Sequence, residues 1–592
     1  MDHAIDPLAF HRALLQGARR VESKREELNR INAFPVPDQD TGNNLAYLMA
    51  QLRRQLPVPS GFGDLLTRLS EASLLGARGN SGVIFSQYFH GFRLAGLPSQ
   101  EADQLPVAAL ARLLEQGYSN AYRSIQQPRE GTILTAMRSL AESFQPVADQ
   151  LGDLRAMTEA ALARLKATVL DSMNVLPQQR AMRVPDAGAM GFLYFAEGFL
   201  RALLCGKAEE PDAAEEPYFE QPAQAMHPAQ AALPYRFCTE VLVELPGEEL
   251  ADGIRQQLAA LGDSLVVSQA GRLARIHLHT NEPGRAVDLM AEAGALAQVK
   301  ADDMHMQQRL TRSYPGQTAL VVDSIADVPA DLLGPHAYVL PMNLLAQGVS
   351  YQDGRTISSQ RVKALSGQLS SSQLNGEEVR QFLAPILHSY DRVLVLSVSS
   401  AMSGLHARYQ EYLQGVAPGR VRLVDSRLNS AAQGLLALHA ARRLAQGDSL
   451  DNVADALEAR RARTRILVSL PSLDAMIASG RLNRRIGRVL RAVGYLPLIT
   501  INSKGEGTVT GLSFSRRRSD RLLINRVLAA KPEEWALVHV GNQPRAQAAA
   551  ASLQAAIGKE AAYISGISAV VANFSGEGAW AVAYVAPQED GA

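Results

Sequence analysis

Between Lys207 and Pro234 the chain reads KAEEPDAAEEPYFEQPAQAMHPAQAALP. Prolines at this density fix φ and remove backbone donors, so an extended linker is expected here rather than a helix or central strand. The sequence on either side must therefore bury its own core. Of the 592 residues, 47% are hydrophobic and 20% charged, which gives both sides ample core material. At about 150 residues per domain the chain would hold roughly four folding units. The expected organisation is a helical domain over 1–203, the linker over 204–234, a small α+β domain over 235–315 and a two-lobed α/β domain over 316–592.

Apolar residues recur at three- and four-residue spacing over 103–122, 134–144 and 154–169, the period of an amphipathic helix. After the linker, 237–245 and 273–279 read as strands, and 250–261 and 284–294 as helices. From about Gln317, short apolar runs at 319–322, 393–398, 421–424, 466–470 and 536–540 alternate with helix-like stretches at 404–413, 431–445, 450–463 and 546–556. That rhythm predicts a parallel sheet covered on both faces. Ligands of such sheets sit beyond the carboxyl ends of the strands, often at a helix N-terminus.

Lys+Arg 59 balance Asp+Glu 59, which argues against a basic nucleic-acid coat, and no nucleic-acid partner is expected. Two cysteines, Cys205 and Cys238, cannot staple a chain of this length, which argues against a disulfide-built secreted protein. Residues 1–30 are mixed and charged and lack the apolar core of a signal peptide. No run of about 18 apolar residues is uninterrupted. A soluble cytoplasmic protein without integral membrane contact is expected; transient contact with a membrane surface and a homodimer stay open.

The chemistry concentrates in NAFPVPDQDTGNN, Asn32 to Asn44. Asp38 and Asp40 are two apart in a proline-bounded extended loop, so both carboxylates project to one side. Hard oxygen ligands so arranged suit Mg2+, which favours carboxylates plus substrate phosphate. A turn with Asx-type hydrogen bonds is the plain alternative. Three further loops strengthen the metal reading. GARGNSG, Gly76 to Gly82, offers glycines that take positive φ and leave N–H groups for an anion. GTILT, Gly131 to Thr135, puts two hydroxyls at a helix start, and PDAGAMG, Pro185 to Gly191, sets an Asp-Ala-Gly turn before an apolar helix. Each alone is also an ordinary helix–helix connection.

Together these four segments resemble the ATP-binding domain of the dihydroxyacetone kinase family, in its bacterial fatty acid kinase branch. The family pattern is NxFPVPDGDTGxN, then GARGNSG, GTxLT and VVDAGGxG, and the resemblance covers residues 1 to about 203. It implies an antiparallel all-α helical barrel, ATP as co-substrate, and Mg2+ held by Asp38 and Asp40, with Asn32 at the third ligand position. It also implies Thr41 and Asn44 near the phosphates, and Gly79, Asn80, Ser81, Thr132, Asp186 and Gly188 in the nucleotide site. Gln39 replaces the glycine between the aspartates, and Ala189-Met190 a Gly-Lys-like pair. Neither change removes a carboxylate.

In the middle segment, His277 and His279 are two apart on an expected strand and face one side, where both reach one ion with the Cys238 thiolate as a third ligand. The alternatives are an ordinary strand face and a cysteine packed as a small hydrophobe. YRFCTE and ARIHLHTNEPG resemble the same family's middle domain, YCTEF and VHVHTNDPG. The resemblance implies a Zn2+ site at Cys238, His277 and His279, organising rather than catalytic.

SVSSAMSG, Ser397 to Gly404, leaves a strand and enters a helix with serines placed for N-terminal N–H groups. Such serines commonly cap the helix, and several convergent hydroxyls also suit a carboxylate. VVDSIADVP, VLPMNL, YQDG, SSQ, SVSSAMSG, LVDS and the GRL of ASGRLNR resemble the DegV family of lipid-binding proteins over residues 317–588. That resemblance implies a two-lobed α/β protein that buries a fatty acyl chain. Ser371, at the threonine of TSQP, and Ser403, at the serine of LSGTY, would hold the lipid carboxylate. Arg481, at the arginine of GGRI, would be a catalytic cation for the transferring phosphoryl group. Three positions depart. Phe574 stands where HxGPG has its histidine, Leu496 replaces the lysine of NIKP, and Phe514 the arginine of VRGR. Arg516, Arg517 and Arg518 just downstream read as a solvated basic face.

A kinase module joined to a carboxylate-presenting module implies one reaction, in which ATP and a fatty acid give acyl phosphate and ADP. Two alternatives stand beside it: a lipid carrier or sensor with weak or no kinase activity, and a kinase for a small hydroxyketone.

Overall fold

The computed structural model describes residues 4–32, 40–96, 104–125, 128–145, 154–204, 233–247, 249–365, 367–472, 477, 495–541 and 543–588. The linker falls largely outside these. Two compact units divide the chain, Met1–Thr311 and Arg312–Ala592.

The first unit begins with packed helices. Pro7–Ser23 starts where Asp6 accepts a hydrogen bond from the Ala9 N–H and Pro7 sits at the first helical position, a pairing that fixes a helix start. Thr41–Gln55, Phe62–Gly76, Gly79–Leu94, Val107–Arg123, Ile133–Phe144 and Leu154–Asp171 follow. Ala187–Leu204 is apolar on nearly every side, and 72% of it is buried, as befits the central helix of a core. Phe192, Phe195 and Phe199 from this helix meet Phe10, Phe85 and Phe89. Inside that core the Arg20 guanidinium sits 2.8 Å from the Glu197 carboxylate.

Residues 237–303 form a four-stranded antiparallel sheet in βαββαβ order. Its spatial order is Gly262–Ala270, Leu273–Thr280, Phe237–Glu244, Ala295–Asp303. Val241, Val243, Ala274, Ile276 and Leu278 are buried on one face, as are Val287 and Met290 of the helix Pro283–Ala293 and Leu258 of Asp252–Ala260. Alternation sends Cys238, Glu240, Arg275, His277 and His279 to the other face. The register sets Cys238 opposite His279 and Glu240 opposite His277.

The second unit has two lobes. In the first, Val421–Asp425, Tyr390–Ser397, Tyr314–Asp323 and Ala337–Leu340 form a parallel sheet in that order. A small antiparallel sheet of Val349–Gln352, Asn343–Ala346 and Ser370–Ser372 lies in the same unit. The second lobe corrects the parallel expectation. Its six strands run Gly507–Ser513, Leu496–Ile501, Thr464–Ser469, Trp580–Val585, Glu534–His539, Ile564–Gly566, and only the last pair is parallel. Trp580–Val585 is buried along almost its whole length, so its apolar run reads like a parallel strand although it lies antiparallel to both neighbours. The helix Ser430–Ala445 packs into a core shared by both sheets, with Leu435 and Leu436 against Leu394, Leu396, Ile466 and Ala583.

Candidate functional site

In the first unit four loops converge although they are far apart in sequence. Gly79 opens the helix Gly79–Leu94 with φ +61°, and a Cβ there would lie 2.6 Å from Asn44 Nδ2. Gly188 lies against the next residue pair: its Cβ would meet Ser81 Oγ at 2.7 Å, Asp186 Oδ1 at 3.2 Å and Ile133 Cβ at 3.4 Å. Asn44 thus lies against Gly79, and Ser81, Ile133 and Asp186 against Gly188, two close approaches joined by the first turn of Gly79–Leu94, where a larger residue in place of either glycine would be crowded. Asn80 lies between Gly79 and Ser81 in the first turn of that helix.

Asp186 is fixed from both sides. Its Oδ1 accepts the Ala189 N–H at 2.8 Å, its Oδ2 accepts Gln179 Nε2 at 3.0 Å, and its own N–H donates to Ser172 Oγ at 2.9 Å. Burial pushes its pKa up to about 6 against these bonds. Thr132 stands in an extended conformation just before the helix Ile133–Phe144, its hydroxyl donating back to the Arg129 carbonyl at 2.8 Å and not capping the helix. Thr41 is buried at the first position of Thr41–Gln55, with half-buried Asp40 immediately before it. Asn32 is buried as well. Asp38 and Gln39 lie outside the described residues.

The polar face of the middle sheet brings Cys238, His277 and His279 together, with ligand atoms all within 4.8 Å of one another. Cys238 Sγ is 3.7 Å from His277 Nδ1 and 4.0 Å from Nε2. Tetrahedral bonds of about 2.0–2.3 Å place ligand atoms about 3.4–3.8 Å apart, so the separations in the trio lie near those that a zinc ion would draw together. His279 Nδ1 is 3.2 Å from Asp263 Oδ1, the carboxylate support that ligating histidines use. Burial, then the negative charges of Glu240 and Asp302 and to a lesser degree Asp40, push the Cys238 thiol well up. A cation in the trio would reverse that balance.

Glu240 and Arg275 were not singled out from sequence. Glu240 accepts the Gly79 N–H at 2.6 Å and lies 3.4 Å from Arg275 Nη1. Burial works against its charged form, yet the His277 hydrogen bond and the Arg275 charge hold its pKa down at about 2. The only signal in the sequence is that Glu240 follows Cys238 by two, on one strand face.

In the second unit Ser371 is exposed on the strand Ser370–Ser372, opposite Leu344. Ser403 precedes the helix Leu405–Leu413, with its Oγ accepting the Leu405 N–H at 3.3 Å. A Cβ on Gly404 would come 2.9 Å from Gln373 Nε2, so the two serine segments abut. The other serines of SVSSAMSG do not converge on an open carboxylate site. Ser397 bonds His406 at 2.8 Å, Ser399 donates to the Gly505 carbonyl at 2.8 Å, and Ser400 donates to Asp425 at 2.6 Å. They hold loops. Arg481 lies outside the described residues, while Phe514 is 60% exposed and lies tilted against Tyr495 with ring centroids 4.3 Å apart.

A cavity of about 850 Å³ opens in the same unit, lined by Ser324, Asp327, Asp353, His539, Ser568 and Glu577 among others, but by neither Ser371 nor Ser403. Two buried carboxylates seat the helix Ala569–Ser575 beside it. Asp327 accepts the Ser568 N–H at 2.6 Å and a Ser430 hydroxyl; Asp353 accepts the Ala569 N–H at 2.7 Å and the Ser324 hydroxyl at 2.5 Å.

Residues 35–201 match the DAK2 domain, residues 234–311 the FakA-like fatty acid kinase middle domain, and residues 317–587 the DegV family of uncharacterised proteins. This chain joins all three domains. Protein YloV of Bacillus subtilis strain 168 is 33% identical over 316 residues, 51% of this chain and 56% of that protein. An uncharacterized protein of Staphylococcus aureus strain USA300 is 30% identical over 308 residues, with the same coverage of 51% and 56%. The chain therefore spans only about half the length of the curated relatives it matches. Among solved structures, a DegV family protein from Thermus thermophilus, described by its fatty acid binding, aligns at 24% identity and TM-score 0.41, over 45% of this chain and 99% of its own. The Streptococcus pneumoniae fatty acid kinase B3 protein loaded with linoleic acid aligns at 15% identity and TM-score 0.41, over 46% and 100%.

Proposed function

We propose that this protein is an ATP-dependent fatty acid kinase whose first unit binds nucleotide and whose second presents a fatty acid. The observation that carries the reading is the convergence of Asn44, Gly79, Ser81, Asp186 and Gly188 in a chain that also has a DegV domain. The Gly79 N–H is held by Glu240, so the N–H groups that follow it in the first turn of Gly79–Leu94 are the ones that would face phosphate. Asp38, Asp40 and Asn32 would hold Mg2+, and hard oxygen donors beside the start of Thr41–Gln55 fit that ion. Bound there, it would neutralise charge on the phosphate oxygens. Cys238, His277 and His279 would hold Zn2+ as an organising site.

The acceptor is a carboxylate, ionised near neutral pH, so no general base is required. One of its oxygens attacks the γ-phosphorus, the bond to the bridging oxygen breaks, and ADP leaves with that electron pair. Ser371 and Ser403 would hold the carboxylate by donating their hydroxyl protons, and Arg481 would face the transferring phosphoryl group. Their task is to orient an anion in line. Fusion in one chain supplies the two units at a fixed one-to-one ratio and raises the effective concentration of each for the other.

A second reading, a lipid carrier without turnover, is favoured by Phe574, Leu496 and Phe514, which stand where charged or titratable groups would help phosphoryl transfer. One ADP-release assay with Mg-ATP decides between them. Release that depends on added oleate or palmitate supports the kinase; stoichiometric lipid without release supports the carrier; release with a small hydroxyketone but no fatty acid overturns both.

A further inference from the structure

The loop Gly76–Arg78, between the helices Phe62–Gly76 and Gly79–Leu94, is gripped at both ends by the middle sheet. Arg275 Nε donates to the Leu74 carbonyl at 3.1 Å, and its Nη2 donates to the Leu75 carbonyl at 3.2 Å and Gln298 Oε1 at 3.2 Å. The Gly79 N–H donates to Glu240 Oε1 at 2.6 Å. A cation thus meets the carbonyl end of one helix and an anion the N–H end of the next, the favourable sense for both dipoles. The two side chains are 2% and 8% exposed. A buried ion pair of this kind adds little net stability over apolar residues, so it is better understood as a device for holding one geometry.

Glu240 also touches the metal-ligand trio. Its Oε1 lies 3.5 Å from His277 Nδ1. With His277 Nε2 given to an ion, Nδ1–H is left for a carboxylate, the usual support for a ligating histidine. One oxygen then serves both His277 and the Gly79 N–H at the head of the nucleotide loop.

We propose that Glu240 is a positioning residue that couples occupancy of the Cys238–His277–His279 cluster to the conformation, and hence the nucleotide affinity, of the Gly76–Ser81 loop. The affinity part rests on the nucleotide reading above; the conformational part does not. Coupling is reciprocal, so zinc must tighten Mg-ADP by the factor with which Mg-ADP tightens zinc, about fivefold or more.

The test uses the full-length protein, loaded with zinc chloride or stripped with a chelator. Mg-ADP affinity is measured by titration calorimetry, and amide exchange is followed in peptides covering residues 74–82. Wild type should bind Mg-ADP at least about fivefold more tightly with zinc, and its 74–82 amides should lose protection on stripping. E240Q keeps an acceptor but no charge and should shrink both differences; E240A should abolish them, with circular dichroism confirming the fold. If neither form of wild type binds Mg-ADP, the nucleotide reading fails, and amide exchange alone judges the link. Exchange unchanged by zinc in wild type, or equally zinc-sensitive in E240A, overturns the proposal.

Discussion

Gly79→Ala tests the loop convergence at its narrowest point. Gly79 has φ +61°, a conformation that costs an L-residue about 1–2 kcal/mol. Its new methyl would lie 2.6 Å from Asn44 Nδ2, well inside van der Waals contact. The neighbour is the far end of a flexible side chain, so Asn44 swings away instead of the helices parting. Folding stability should therefore fall by no more than about 2 kcal/mol. Nucleotide should suffer more. Losing one hydrogen bond to a charged group costs about 1.5–3 kcal/mol, or roughly 10- to 150-fold in affinity. Calorimetric titration with Mg-ADP reads the loss, and a thermal melt reads stability. The cycle with Asn44→Ala identifies the route. If the methyl acts by displacing Asn44, the double variant binds little more weakly than Asn44→Ala alone. Unchanged affinity in Gly79→Ala, or fully additive losses, would refute the reasoning.

Three further outcomes follow from the site. Asp40→Asn should lower ATP turnover about a hundred- to a thousandfold, the scale of losing a transition-state stabiliser, while leaving co-purifying fatty acid unchanged by mass spectrometry; loss of both contradicts the division of labour. Ser371→Ala together with Ser403→Ala should weaken oleate binding about a hundredfold or more without altering Mg-ADP affinity, since each hydroxyl lost from a carboxylate costs about 1.5 kcal/mol or more; unchanged oleate affinity would move the headgroup elsewhere. Burial pushes Asp323, Asp327 and Asp353 up to about 6, 7 and 6, so between about pH 4 and 7 the folded unit holds protons that the unfolded chain has released. Their contribution to stability is greatest below about pH 4 and is lost as pH rises through 7. His439, which burial pulls down to about 4, works in the opposite sense, so the comparison must be with a variant. Asp327→Asn should gain on wild type from pH 4 to 8 by on the order of 3 kcal/mol in denaturant unfolding; a flat or falling difference contradicts the sign.

Signals carried by neighbouring residues were legible in the sequence. The apolar spacing over 134–144, 154–169 and 450–463 gave helices now seen at Ile133–Phe144, Leu154–Asp171 and Leu450–Arg463. The glycine loops were legible too, because Gly79 and Gly188 meet demands set by their own backbones and near approaches. Two middle strands, Gly262–Ala270 and Ala295–Asp303, were missed because polar residues interrupt their alternation at Asp263, Ser264, Gln298 and Lys300. The antiparallel second lobe was missed because buried strands carry no direction in their composition. Glu240 and Arg275 were illegible for another reason. Their partners Gly79 and Leu74 lie 161 and 201 residues away, so only the folded chain pairs them. The buried aspartates likewise read as turn residues until the Ser568 and Ala569 N–H groups are placed against them.

The central claim is that one chain moves the γ-phosphoryl of ATP to a fatty acid carboxylate. It is met most directly by incubating the purified full-length protein with Mg-ATP, oleate and hydroxylamine, and searching by mass spectrometry for oleoyl hydroxamate. Acyl phosphate reacts with hydroxylamine, whereas the free acid does not. The account predicts hydroxamate in proportion to ADP released, and none with Asp40→Asn. Folded protein that binds both oleate and Mg-ADP yet gives no hydroxamate would contradict it.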